Sequence, residues 1–114
     1  MLHLTPELME ATYELLRLTP PFKAWKLPEA DAVAFHVISS VHQADHCMLG
    51  DMHQIRISAK KHKSLRALTE TMAHEMIHCH EAQLKLRADV AHGAKFQRFA
   101  DRVCKIHGFD RGQF

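Results

Sequence analysis

An α+β fold is predicted, with an N-terminal helix, a small three-stranded antiparallel sheet, a long helix that carries the chemistry and a C-terminal helix. Three observations predict it. The 114 residues are 46% hydrophobic and 25% charged, the balance of one ordinary globular domain, expected over residues 1–114. All four prolines, Pro6, Pro20, Pro21 and Pro28, lie in the first quarter, so everything from Glu29 onward is free of the strongest breaker. Finally, the apolar pattern is helical at the start, alternates between Val33 and Ser58, and turns helical again beyond Ser64.

Each element has its own justification. Thr5, Pro6 and Glu7 read as N-cap, first helical residue and first-turn acid, and Leu8, Tyr13, Leu15, Leu16 and Leu18 supply the apolar face of a helix ending near Thr19. Pro20 to Pro28 is a connector whose Phe22, Trp25 and Leu27 are expected to pack back onto the core. Alternation from Val33 to Val41 predicts the first strand, Asp45 to Leu49 the second, Gly50-Asp51 a turn, and His53 to Ser58 the third, together a meander. Lys60, Lys61, His62 and Lys63 read as a solvated loop. Ser64 can cap a helix reaching about Arg87, with Leu65, Leu68, Met72, Met76 and Cys79 on its main apolar stripe and Ala73, Ile77 and Leu84 on a second. From Gly93 to His107, Phe96, Phe99, Val103 and Ile106 recur at spacings of a helix that Gly108 ends.

Charge and cysteine usage limit the function classes. A formal net charge of +2 allows a nucleic-acid partner without demanding one. The three cysteines, Cys47, Cys79 and Cys104, lack CxxC spacing, so neither a disulfide framework nor a thiolate-only metal site is expected. No leader-like or membrane-length apolar run occurs. A cytoplasmic, reducing location is the expectation.

Eleven of the residues are histidine. Five of these, His3, His36, His42, His62 and His107, are assigned to surface or packing positions. The informative ones sit in His74-Glu75-Met76-Ile77-His78, an HExxH motif within the long helix. Histidines four apart share a helix face and can reach one Zn²⁺, while Glu75, about 100° further round, can reach a water on that metal and is the candidate general base. In so histidine-rich a chain the motif arises by chance at a rate of about 6%, so context has to support it. Two features do. The motif lies opposite the main apolar stripe, and a third ligand is available. Glu81 follows on nearly the same face, but three ligands from one straight helix converge poorly, which suits it better to an outer role. His80 lies about 160° from His78 and reads as a packing residue. His92 can return across the cleft after a chain reversal and is the expected third ligand.

His74-Glu75-Met76-Ile77-His78 followed by His92-Gly93-Ala94-Lys95-Phe96 resembles the SprT-like metalloprotease domain, whose members pair an HExxH helix with a downstream HGxxF. The resemblance covers roughly Ile55 to Gly108 and implies a zincin-like arrangement. It implies Zn²⁺ held by His74, His78 and His92, Glu75 as catalytic acid/base, and a strand ending at Ile57-Ser58 beside the cleft. It also implies a zinc endopeptidase acting on protein or peptide, with DNA-associated proteins as one substrate class. Members of the family often carry a cysteine-rich zinc ribbon; this sequence is expected to be a minimal form without one. The alternative is a zinc-binding, DNA-associated adaptor with little turnover.

Other expectations are weaker in chemistry. An extended substrate is expected to add to a sheet edge near Gln54 to Ser58. His46, His53 and His80 are candidate oxyanion donors, the sole Tyr13 being remote in sequence. Met48, Met52, Met72 and Met76 read as core filler. Gly93 reads either as a helix-start glycine or as the missing Cβ that lets His92 approach the metal. Lys60, Lys61, Lys63, Arg66, Lys85, Arg87, Lys95, Arg98, Arg102 and Lys105 could contact DNA weakly. Sequence does not say whether they form a stripe or a scatter.

Overall fold

The computed structural model describes residues 2–62, 64–85 and 92–114. Helix α1 spans Pro6–Arg17, and the Thr5 hydroxyl caps it by accepting the Leu8 amide at 3.0 Å. Its buried face is Met9, Thr12, Tyr13 and Leu16. Leu15 and Leu18, expected inward, are exposed because the buried stripe runs through positions 9, 12, 13 and 16 and leaves them on the far side. The connector contains a one-turn helix, α2 (Phe22–Trp25), whose Phe22 is fully buried, and Leu27 follows it into the core. The Tyr13 hydroxyl donates to the Pro28 carbonyl at 2.6 Å, so α1 and the connector are held together at a buried polar point. A 3₁₀ turn over Ala30–Ala32 leads into the sheet.

Three strands follow: β1 (Val33–Ile38), β2 (Ala44–Leu49) and β3 (Met52–Ser58). β2 and β3 form a hairpin across Gly50-Asp51, where Gly50 takes φ 62° at the first central position. The predicted antiparallel meander is corrected here. The sheet is mixed, its order is β1-β3-β2, and β1 runs parallel to β3. The cause is burial: Ile55 and Ile57 are fully buried, so β3 takes the centre. The link of residues 39–43 crosses its end. That crossing is stitched by the Ala59 amide donating to Ile38 at 3.0 Å, the Ser58 amide to Gln43 at 2.9 Å and the Ser58 hydroxyl to Ser40 at 2.8 Å. β1 therefore stops at Ile38, and Val41, expected in the strand, stands exposed in the link.

Helix α3 (Leu65–Gln83) is capped by the Ser64 hydroxyl, which accepts the Ala67 amide at 3.1 Å. Leu68, Met72, Met76 and Cys79 are buried as expected, and so are Ala73 and Ile77. Thr71, Glu75 and His80 are buried too, which makes α3 the central rod rather than a half-covered surface helix. Only at its ends do apolar residues emerge, with Leu65 and Leu84 exposed. Its expected extension to Arg87 and the link through Asp89 lie outside the described residues. Helix α4 (Ala94–His107) buries Phe96, Ala100, Val103 and Cys104 and closes at Gly108, whose φ of 72° is the left-handed cap. Met72 and Met76 are core residues, whereas Met48 and Met52 are exposed at the hairpin, where no described element covers them. His62 is buried rather than solvated, because its ring is bonded at both nitrogens.

Candidate metal centre and catalytic cleft

Because α3 brings round a residue of the same face every four positions, His74 and His78 stand one above the other, with ring centres 5.1 Å apart. His92 comes to them from the start of α4. Its Nε2 lies 2.9 Å from His74 Nε2 and 3.2 Å from His78 Nε2. Tetrahedral zinc with bonds of about 2.0–2.1 Å would hold its nitrogens about 3.3 Å apart; the two His92 contacts fall within about 0.4 Å of that spacing, and all three ligand atoms lie within 4.8 Å of one another. A neutral imidazole nitrogen is either donor or acceptor, and His92 Nε2 faces two partners at once. A cation among the three lone pairs resolves that conflict, so the donor set fits zinc.

The surrounding residues hold these rings in place. His78 Nδ1 donates to Glu81 Oε1 at 2.9 Å, leaving its Nε2 lone pair directed at the other two histidines. Phe96, fully buried, lies against all three: its ring centre is 4.9 Å from His74, 4.8 Å from His78 and 4.6 Å from His92. His92 itself takes φ 62°, and the Gln97 side-chain amide donates to its carbonyl at 2.9 Å. The left-handed turn that aims the ring thus sits on the histidine. Gly93, at φ −69°, is the ordinary residue before the helix.

Burial sets the charge states. It pushes His74 down to about 4, helped by His78 and His92 and opposed by the Gln113 backbone, and it lowers His78 against the pull of Glu81. Both rings are therefore neutral near pH 7, as ligands must be. Glu75 shows the opposite effect: burial, with Asp45 adding to it, raises its carboxyl to about 8. It accepts no hydrogen bond from any described residue.

Glu75 lies where two cavities meet. A cleft of about 410 Å³ runs between α3 and the start of β2, lined by Ala44, Asp45, His46, His74, Glu75, His78, Glu81, Ala82 and His92. A smaller cavity of about 110 Å³ lies behind it, between Gln43, Thr71, His74 and Gln113. The strand beside the cleft is β2, not the Gln54–Ser58 segment. β3 is paired on both sides, so its expected free edge does not exist; among the described residues the unpaired edges belong to β1 and β2, and the β2 edge is the one beside the cleft. The ladder bonds fall on Asp45, Cys47 and Leu49, so Ala44, His46 and Met48 turn their backbone groups outward along that edge.

Of the three candidate oxyanion donors, His46 lines the cleft. His53 is buried behind it, with His46 Nε2 and His53 Nδ1 2.8 Å apart. His80 points away, stacked on Trp25 at 4.2 Å and edge-on to Phe99. Sequence reasoning missed a polar relay that ties the cleft to the core. The Gln43 amide donates to the Thr71 hydroxyl at 2.8 Å, the hydroxyl donates to His62 Nε2 at 2.7 Å, and His62 Nδ1 donates to the Ser58 carbonyl at 2.8 Å. No spacing rule connects residues 43, 58, 62 and 71, so the sequence held no signal for it. Phe114, whose ring centre lies 5.6 Å from that of His74, was equally invisible.

The basic residues divide as well. Lys95, Arg98, Arg102 and Lys105 are exposed on α4, and spacings of 3, 4 and 3 place them within about 80° of one another along about 15 Å of helix. Among the described residues none of the four is in an ion pair. Lys63 and Arg87 lie outside the described residues.

Residues 23–111 match the family described as the SprT-like family. No curated protein matches the chain. Among the described residues no helix is long and apolar enough to cross a membrane.

Proposed function

Since the chain belongs to the SprT-like family and so carries a metalloprotease-like domain, we propose that it is a zinc-dependent endopeptidase using His74, His78 and His92 as ligands and Glu75 as general base. The observation that carries this reading is the convergence of three imidazole nitrogens beside a buried carboxyl group that faces two cavities and is unengaged among the described residues.

Zinc bound there would supply Lewis-acid polarisation of a peptide carbonyl and lower the pKa of a bound water toward about 7. The rest is the work of this chain. Glu81 keeps His78 in the tautomer that offers Nε2, and Phe96 packs against all three rings. Glu75 takes the proton from the attacking water as the carbon–oxygen bond forms, then delivers it to the amine nitrogen as the carbon–nitrogen bond breaks. A carboxyl group raised by burial holds the proton between the two halves of that task, and beside the charge of a bound cation its pKa falls enough for it to act first as the base. The substrate lies along β2 in extended form, meeting the outward backbone groups of Ala44, His46 and Met48 and bringing its carbonyl over the cleft. His46 lines that cleft and turns Nε2 to His53, so its Nδ1–H is the candidate donor to the carbonyl oxygen as it gains charge.

The DNA-associated part of the reading rests on the α4 stripe, whose four cations can follow a phosphate backbone. The test is cleavage of an unstructured protein by the zinc-loaded chain, with and without single-stranded DNA. Cleavage that a chelator abolishes and added zinc restores is the expected result. A folded, zinc-bound protein that leaves the substrate intact under both conditions overturns the endopeptidase reading and favours the adaptor.

A further inference from the structure

A second cluster of metal-ligating side chains lies behind the first. His46 on β2 and His53 on β3 are diagonal neighbours, since the register pairs His46 with Ile55 and Met48 with His53. Both therefore share the sheet face that carries Ile55 and Ile57, and that face packs on α3. From α3 comes Cys79, fully buried and about 100° round the helix from His78, so that it faces the sheet while His78 faces the cleft. One ligand atom from each of His46, His53 and Cys79 lies within 4.8 Å of the others.

We propose that His46, His53 and Cys79 form a second zinc site that ties β2 and β3 to the back of α3. Two imidazoles and a thiolate, the thiol releasing its proton to solvent on binding, are a donor set suited to a borderline-soft divalent ion such as Zn²⁺, with one position left for water. Ligands on zinc stand about 3.3 Å apart between nitrogens and about 3.6 Å between nitrogen and sulfur. The two nitrogens at 2.8 Å need part by only about 0.5 Å to meet the first requirement. Side-chain rotation within the 4.8 Å envelope is enough for the second. A hydrogen bond between the imidazoles accounts for their contact but not for a thiol arriving at the same point from a third element. Three ligands from three elements would also fix the free edge of β2 relative to α3, which is the relationship the cleft depends on. The inference stands apart from the endopeptidase reading and holds equally for an adaptor.

The experiment titrates the reduced, metal-free full chain with Zn²⁺ and, separately, with Co²⁺. Two equivalents of zinc are expected in the wild type and one in the His74→Ala/His78→Ala double variant. Cobalt should give a thiolate-to-metal charge-transfer band in both proteins, because the first site contains no sulfur. Cys79→Ala should abolish that band, whereas Cys47→Ser should leave it. His46→Ala, on the edge strand, should weaken the second equivalent by at least about 10-fold, the least that losing even an outer hydrogen-bond partner costs a metal site. Should Cys79→Ala fail to fold, His46→Ala supplies both readouts alone. A single equivalent of metal without the band overturns the proposal, as does a band that disappears with Cys47→Ser and survives Cys79→Ala.

Discussion

His78 and Glu81, one turn apart on α3, are joined by a 2.9 Å hydrogen bond from the imidazole Nδ1 to the carboxylate. The bond decides which nitrogen of His78 carries the proton and therefore which one is free to bind a metal. Glu81→Ala is expected to lower zinc affinity by about 10- to 100-fold while leaving the fold intact, as read by chelator competition. Glu81→Gln keeps an acceptor and should lose less. Equal affinity in all three proteins would remove Glu81 from the site.

The free edge of β2 gives a second expectation. Met48→Pro deletes an outward amide and leaves the ladder bonds to β3 untouched, a substitution that edge strands tolerate. Losing one backbone hydrogen bond to an extended substrate should lower kcat/KM by up to about 10-fold. Zinc content should not change. Unaltered kcat/KM would mean that the substrate does not pair with this strand.

Charge on α4 can be tested through salt. If Lys95, Arg98, Arg102 and Lys105 contact single-stranded DNA, log affinity falls linearly with log salt, and each cation replaced by Gln should reduce the slope by about 0.7. A slope that stays constant as all four are replaced would show that the stripe is only a solvated face.

The histidines that drew attention in the sequence were partly readable and partly not. His74, Glu75 and His78 were legible because a helix brings residues four apart onto one face. His92 was legible because a single straight helix cannot supply a tetrahedral third ligand. The sheet was legible only as far as its faces. Alternation shows which side of a strand is apolar but says nothing of which strand lies in the centre; the neighbours and the free edges are set instead by the burial of Ile55 and Ile57 on the central β3. His62 shows the same boundary: its burial depends on Ser58 and Thr71, partners that no local pattern connects to it.

That buried histidine carries a pH dependence. Burial lowers its pKa below the ordinary 6.5, against the smaller effect of the Ser58 carbonyl. The unfolded chain therefore binds a proton that the folded one refuses, so this contribution to stability is fully present above pH 6.5 and is lost progressively as pH falls from there through the lower folded value. In urea unfolding of the metal-free protein, His62→Gln should cost about 1–3 kcal/mol at neutral pH and flatten the acid side of the stability profile. His46, His53, His74, His78 and His80 shift the same way, so some slope should remain. An unchanged profile would contradict the relay.

The central claim is that Glu75 does chemistry beside a metal that the three histidines hold without it. Measuring zinc content and proteolysis together in Glu75→Gln tests this most directly, because the substitution keeps the size of the side chain and removes its basicity. Zinc is expected at the wild-type stoichiometry, with cleavage of an unstructured protein reduced by about 10²-fold or more. Cleavage at the wild-type rate by the zinc-loaded variant would contradict it.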